Sequence, residues 1–418
     1  MRGPQAHLDR LVTASGLEIR PFGPGDDIEA ELDLRRRAFG PVPAAGKPVW
    51  AARVQASIDS GQLLGVFDGA RPVASARYHS MRQWWHGRPM PMAGVAGVKV
   101  APEDRGRGVG RALMTRLLAE ITERGYLVST LFPSTLAVYR SLGWEVSGGR
   151  YETVMPARTL TALTSADPNL GGAAAGPPAA PAVRRATASD AAAAIEVLGR
   201  VHEALRDSGQ NTREPAEMAG WLEDVDHFAY LAADGFLCYR WADGHVELRV
   251  DYLAAASAAT AWAFWQILAS HATMADRVSA CLAPSDPIAW LTSEPTVVTT
   301  RAEDWMLRVT DPAQAIAARG YPAAASLAVG IELSDPVLPA NSGHWRLEVA
   351  GGAGKLAPAD ERSGGQALRL GAGGLAALFA GVPVVTLRRA GLAGGGDPAA
   401  DEALDCAFGG TAYMTDYF

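Results

Sequence analysis

Apolar residues recur every four positions at Val109, Leu113, Leu117 and Ile121, with Leu118 beside them, while Arg111, Arg116, Glu120 and Glu123 fall on the other side. That period predicts an amphipathic helix over 111–124 with one buried face. Nearer the start, Leu17–Arg20 reads as a strand, Asp26–Asp27 as a cap, and 28–39 as the helix it caps; strands follow near Leu63–Phe67 and Pro72–His79. The same opening recurs later. Residues 182–185 read as a strand, Ser189–Asp190 as a cap, and 191–205 as a helix with Ile195, Leu198 and Val201 on one face. Two related α/β halves are therefore expected. From Trp305 the pattern changes: 305–309 alternates as a strand, and Asp311 caps a helix opened by Pro312 and running to Arg319. Strand-like segments with glycine-rich turns fill 326–370, and a short helix begins at Gly374, giving a third, α+β unit.

Between the halves, 164–183 replaces periodicity with Gly, Ala and Pro and reads as a linker. The expected division is 1–164, a linker over 165–182, 183–304, and 305–418. A chain of 418 residues suits about three units at ~150 residues each. With 48% hydrophobic and 20% charged residues it has enough apolar surface for several cores, which excludes wholesale disorder. The net charge is −7 and basic residues are dispersed apart from Arg35–Arg37, which argues against a nucleic-acid partner. Cys238, Cys281 and Cys406 are far apart, with no CxxC and no histidine at ligand spacing, so a reduced compartment and no metal are expected. His7, Asp9, Arg10 and Glu18 interrupt the place where a signal peptide has its apolar core, so a cytoplasmic protein is expected. Residues 252–271 lack Asp, Glu, Lys and Arg over about the length of a membrane span. Alanine dominates them, and Ser257, Thr260, Gln266 and Ser270 interrupt them, so they read as a buried helix and no membrane contact is expected.

The chemistry concentrates in 97–110, GVKVAPEDRGRGVG, a strand and a glycine turn that leads into the amphipathic helix. Gly106, Gly108 and Gly110 remove side chains where backbone N–H groups would approach an anion, and the helix N-terminus adds partial positive charge. Arg105 and Arg107 could add charge-assisted hydrogen bonds, so a pyrophosphate fits. The turn lacks the GK[ST] ending of a P-loop and departs from the dinucleotide GxGxxG. V-x-V-x-P-x-x-R-G-x-G-x-G is instead similar to the coenzyme A loop of the GNAT acetyltransferases. Some thirty residues on, LFPSTLAVYRSLGW over 131–144 resembles the GNAT helix with its Y-x-x-x-G-aromatic ending. The whole chain resembles the Eis family of bacterial acetyltransferases, through 305–309 (WMLRV), 317–321 (AARGY) and the tail from Leu404 to Phe418.

That resemblance implies tandem GNAT folds followed by a sterol-carrier-protein-like α+β domain, acetyl-CoA as co-substrate, no metal, and a homo-hexamer. It implies an N-acetyltransferase acting on a primary amine of a small molecule, such as an aminoglycoside or polyamine, or of a lysine side chain. Tyr139 matches the family's general acid, and the Phe418 carboxylate the chain end that takes the amine's proton. The cofactor positions carried over are Val98, Lys99, Val100, Arg105, Gly106, Arg107, Gly108, Val109, Gly110, Arg111 and Ser134. Phe39, Trp50, His79 and Trp84 fall in regions that line the acceptor pocket, together with Asp416 and Tyr417. Family members that accept polycationic aminoglycosides carry acids near the pocket and before the terminal Phe; Tyr417 and the 40–43 segment GPVP depart from this, and broad aminoglycoside activity is not expected. The corresponding loop of the second half, 246–256, has no glycine and carries Asp251, so that copy is expected to hold no cofactor. Two alternatives stay open: a non-catalytic coenzyme A sensor whose third domain binds an apolar ligand, and an acyltransferase using a longer acyl-CoA.

Overall fold

The computed structural model describes residues 16–163, 181–292, 295–360 and 367–418; the readings made on residues 1–15 and on most of the linker lie outside the described residues. The first unit runs β1 (Leu17–Pro21), α1 (Ile28–Phe39), α2 (Lys47–Asp59), β2 (Leu63–Asp68), β3 (Arg71–Trp85), β4 (Arg88–Val100), α3 (Val109–Glu123), β5 (Val128–Leu131), α4 (Ala137–Arg140) and β6 (Glu145–Pro156). The expected cap of α1 forms: the Glu29 N–H donates to Asp27 Oδ1 at 2.8 Å, and Arg36 and Arg37 occupy the last turn, where positive charge complements the helix dipole. Helix α2 was not predicted, because Val54 and Ile58 are its only fully buried apolar positions, too few to make a period. Helix α3 buries the predicted face, with Val109, Leu113, Leu117 and Ile121 all inside the first unit's core.

The second unit runs β7 (Arg184–Arg185), α5 (Ala191–Leu205), β8 (Asn211–Thr212), α6 (Pro215–Leu222), β9 (Phe228–Ala232), β10 (Gly235–Ala242), β11 (Glu247–Ala255), α7 (Ala258–Ala269), β12 (Arg277–Cys281), α8 (Ile288–Leu291) and β13 (Val298–Val309). The stretch read as one buried helix over 252–271 is divided. Tyr252–Ala255 completes β11 beside β10, and Ser257 caps α7 by accepting from the Thr260 N–H at 3.2 Å. Among the described residues no helix is long and apolar enough to cross a membrane.

The two units share one thirteen-stranded sheet in the order β1-β2-β3-β4-β5-β13-β6-β12-β11-β10-β9-β7, with β8 on β3. Their last strands are exchanged: β6 pairs with β12 of the second unit, while β13 lies between β5 and β6 of the first. Trp305–Val309, expected to open the third unit, is therefore buried in the shared sheet.

The third unit contains α9 (Pro312–Ala318), β14 (Leu327–Ser334), β15 (Gly343–Ala350), β16 (Ala353–Pro358), β17 (Leu368–Gly371), α10 (Ala372–Phe379), α11 (Val384–Arg389), β18 (Ala393–Gly395) and α12 (Asp401–Phe408). Its five strands form a separate sheet, β16-β15-β14-β17-β18. Phe379 and Phe408 join Trp85 and Trp305 in one apolar core, so the third unit is packed onto the first rather than tethered to it. The cavity inside it, lined by Ile316, Leu333, Trp345, Leu375 and Phe408 among others, holds about 10 Å³, no more than one water-sized sphere.

Candidate active site

Strand β4 pairs with β3 as far as Val100, but its parallel pairing with β5 ends at Val95–Leu131. Beyond that point the two strands part, and the β5-side edge of 96–100 is left without a strand partner. A cleft of about 510 Å³ opens there. Val95, Ala96, Gly97 and Val98 form one wall; Leu131, Phe132, Pro133, Ser134, Leu136 and Tyr139 form the other; Phe39, Glu303, Asp304, Tyr417 and Phe418 complete it. Backbone N–H and C=O groups on a free strand edge suit an extended amide-bearing chain, because each needs a partner.

At the head of β4 the glycine turn leads into α3. Gly106 and Gly108 have φ of +77° and +76°, a left-handed region that side chains with a Cβ disfavour, and open space surrounds both. Gly110 has a different reason: a Cβ there would lie 3.2 Å from Val100 Cγ2, so its absence lets the helix start close to the strand. Helix α3 has no side-chain cap, so the N–H groups of its first turn remain available to an anion. Arg105 projects from this turn without an ion pair among the described residues. Arg107 is turned onto Asp104, which Arg71 also holds, and Arg111 donates to Ser141 Oγ at 2.7 Å, tying α3 to the end of α4. The Lys99 side chain turns away from the cleft edge into a buried ion pair with Glu31 at 2.7 Å, so only its backbone could meet a cofactor.

Tyr139 sits on the one-turn helix α4, packed edge-on against Trp144. Burial raises its phenol above the ordinary value, and its hydroxyl has no hydrogen-bond partner among the described residues. The chain terminus returns to the same cleft. The Phe418 ring lies over Gly94, flanked by Phe132 at 5.5 Å and His79 at 6.5 Å, while the Tyr417 ring lies 4.5 Å from Phe132. Gly94 pairs with His79 on β3, and a Cβ on it would come within 2.8 Å of the Phe418 ring.

The tail is threaded between units. Met414 N–H donates to Gly149 O at 3.1 Å, Tyr413 N–H to Ser208 O at 3.0 Å, and Thr415 Oγ1 to Gln210 Oε1 at 3.0 Å. Arg213 of the second unit then grips it, with Nε 2.6 Å from Asp416 Oδ2 and Nη2 donating to the Tyr417 carbonyl at 3.0 Å. Burial opposes the charge on Arg213, but Asp416, Tyr252 and Glu217 together outweigh it and raise the guanidinium's pKa. Glu217, on α6, places Oε1 3.2 Å from His79 Nδ1.

Phe39, His79 and Tyr417 thus meet at or beside the cleft, but three other acceptor candidates do not. Trp50 packs in a separate cluster with Phe22, Val54 and Phe67. Trp84 is buried at the joint between units, 5.6 Å from the His202 ring and over Gly199. Asp416 is neutralised by Arg213 rather than facing an acceptor. Sequence reasoning missed Gly94, Arg213, Glu217, Glu303 and Asp304. A glycine inside a strand pattern marks close approach by another group, which was the available signal for Gly94. For Arg213 and Glu217, remote from the tail in sequence, no local signal exists.

In the second unit the corresponding helix start is closed. Ser257 caps α7, and the Thr260 hydroxyl donates to Asp234, whose carboxylate lies where an anion would need open N–H groups. Asp251 is engaged by Arg240 at 3.1 Å. Among the described residues no three His, Cys, Asp or Glu side chains converge as metal ligands.

An uncapped helix start behind a glycine turn, beside a parted strand pair, is the architecture of a coenzyme A-dependent GNAT acyltransferase. Residues 18–147 and 202–309 each match an acetyltransferase (GNAT) domain family, and 312–415 match the sterol carrier protein domain. The GCN5-related N-acetyltransferase of Kribbella flavida is 42% identical, with a TM-score of 0.86 over 97% of this chain and 100% of that one. N-acetyltransferase Eis of Mycobacterium tuberculosis is 27% identical over 315 residues, 71% of this chain and 74% of that protein. Eis1 of Mycobacterium abscessus, at 23% identity, shares the fold with a TM-score of 0.75 over 96% of this chain and 100% of that one. The chain belongs to the Eis family of GNAT N-acetyltransferases.

Proposed function

We propose that this acetyltransferase moves the acetyl group of acetyl-CoA directly to a primary amine of a small molecule or a lysine side chain, with Tyr139 as general acid and the Phe418 carboxylate as general base. The observation that carries the reading is the docking of Phe418 over Gly94 in the cleft that Tyr139 lines. The backbone at Val98 and Val100 would hold the pantetheine and polarise the thioester carbonyl, Ser134 would contact it, and the turn from Arg105 to Gly110 would hold the pyrophosphate. The Phe418 carboxylate takes the amine's proton as its nitrogen bonds to the carbonyl carbon; the C–S bond then breaks, and the Tyr139 phenol protonates the departing sulfur. An α-carboxylate is a weak base, so it acts on the minor neutral amine or through water. The second unit would serve as scaffold, since Asp234 and Ser257 occupy its helix start. A homo-hexamer in the cytoplasm is part of the proposal.

Thiol release from acetyl-CoA across aminoglycosides, polyamines, lysine peptides and arylalkylamines tests it, alongside Tyr139→Phe and a chain lacking Phe418. Turnover by the wild type and its loss in both variants is the expected result. Stabilisation by acetyl-CoA without turnover on any amine would move the reading to a sensor. The filled core of the third unit, about 10 Å³ of free space, speaks against the apolar-ligand part of that alternative.

A further inference from the structure

The carboxylate side chains around the cleft are each paired with a cation. Glu303 pairs with Arg150 at 3.3 Å, Asp304 with Arg301 at 2.5 Å, Asp416 with Arg213 at 2.6 Å, and Glu31 with Lys99 at 2.7 Å. Glu217 is shared by His79 at 3.2 Å and Arg213 at 3.7 Å. Arg77 makes no ion pair and no side-chain hydrogen bond among the described residues, and its Nε is closed off from solvent. It stands on β3 opposite Ala96 of the cleft wall, and a Cβ on Gly97 would lie 3.9 Å from its Nε. Burial, reinforced by Arg53 and Arg35 and opposed by Glu31 and Glu217, lowers its pKa. Both of those carboxylates are already committed to Lys99, His79 and Arg213, and no carboxylate of the described residues lies at ion-pair distance from the guanidinium.

A guanidinium withdrawn from water is tolerated when an anion meets it, and its planar fork matches a carboxylate with two parallel hydrogen bonds. We propose that Arg77 receives a carboxylate of the acceptor, so that the preferred substrate is an amino acid-like amine rather than a polycation. The inference rests on the acetyl-transfer reading and specifies its acceptor class. It also accounts for the acids at the cleft: Glu303 and Asp304 are compensated by arginines, so they present little net charge to a polycation.

The test is a comparison of kcat/KM for ω-amino acids of graded length against unsubstituted alkylamines of the same length, with acetyl-CoA saturating. At one chain length the carboxylate is expected to raise kcat/KM about tenfold or more, as a charged hydrogen bond made only by that member would. Arg77→Gln is expected to bring that ratio to near one, and Arg77→Lys to leave it intermediate because the charge stays and the fork is lost. The wild-type ratio tests the inference even if neither variant folds. Equal kcat/KM within every wild-type pair, or an equal fall for both members in Arg77→Gln, overturns it; the second outcome would mean that Arg77 serves the chain terminus. A gain with aminoethyl phosphate but with no carboxylate also overturns it. Turnover of alkylamines alone sinks only this inference, whereas no thiol release from any amine sinks the transfer reading and this inference with it.

Discussion

Gly94 shows how a single missing side chain shapes this site. Its would-be Cβ lies 2.8 Å from one Phe418 ring carbon and 3.1 Å from Met81 Sδ, and the strand beneath cannot yield, so the terminal ring must move. Gly94→Ala is expected to lower kcat by about tenfold or more while the protein stays folded, since overpacking costs about 1–3 kcal/mol; steady-state kinetics and thermal unfolding check it, and full activity would mean that the position of Phe418 is not needed. Tyr139 carries a second expectation. Tyr139→Phe should lower kcat by about 10²–10⁴, the usual contribution of a positioned acid. Because burial raises the phenol's pKa, the acid form persists further into the alkaline range than an ordinary phenol's, and any fall of kcat from this group should lie on the alkaline side of the ordinary phenol range. A fall with an apparent pKa below 9 that disappears in Tyr139→Phe would contradict it.

At the scale of elements, the segment from β8 to α6 of the second unit holds Asp416 and Tyr417 of the tail. Arg213 joins Asp416 and the Tyr417 carbonyl, and α6 brings Glu217 to His79 on β3. A unit whose own helix start is closed therefore still builds the neighbouring cleft. Arg213→Asp and Asp416→Arg should each loosen the tail and lower kcat, and the reciprocal double variant should recover part of the loss. The coupling energy expected for such a contacting pair is about 0.5–3 kcal/mol, measured by a double-mutant cycle on kcat/KM. Strict additivity would mean that the pair does not act through the tail. Elements were legible where their signals were local: α1 has the predicted bounds because Asp27 caps it, and α5 because its apolar period lies within a few residues, while Asp190 closes a capping box with Thr187 on the turn just before it. The 252–271 stretch was misread because a run of small apolar residues fits a buried strand as well as a helix, and Ser257 decides the boundary only once β10 is in place.

For the whole molecule, the exchange of β6 and β13 makes the first unit incomplete by itself. Without β13, the Val128–Leu131 strand and β6 lose their common partner, and Met306, Leu307 and Val309 leave the core. Residues 1–163 expressed alone should not bind acetyl-CoA, and co-expression with 181–418 should restore binding, read as a ligand-induced rise in Tm. Binding by 1–163 alone would show that β5 and β6 can close directly. The tail adds a second link, since it leaves the third unit at Phe408, where Arg319 donates to the Phe408 carbonyl at 2.8 Å, and ends in the first unit's cleft.

The sequence by itself determined the glycine turn, the helix it starts, the tyrosine helix and the α/β, α/β, α+β succession, because each is written in residues close along the chain. Its pattern also marked the second loop as unlike the first. Only the tertiary structure decided that β13 enters the first sheet, that Trp50 and Trp84 belong to cores rather than to the cleft, and that Asp416 is held by Arg213. It likewise decided that no carboxylate of the described residues lies at ion-pair distance from Arg77. Those outcomes depend on which strand edges pair and which charges meet across hundreds of residues, and no spacing along the chain encodes them.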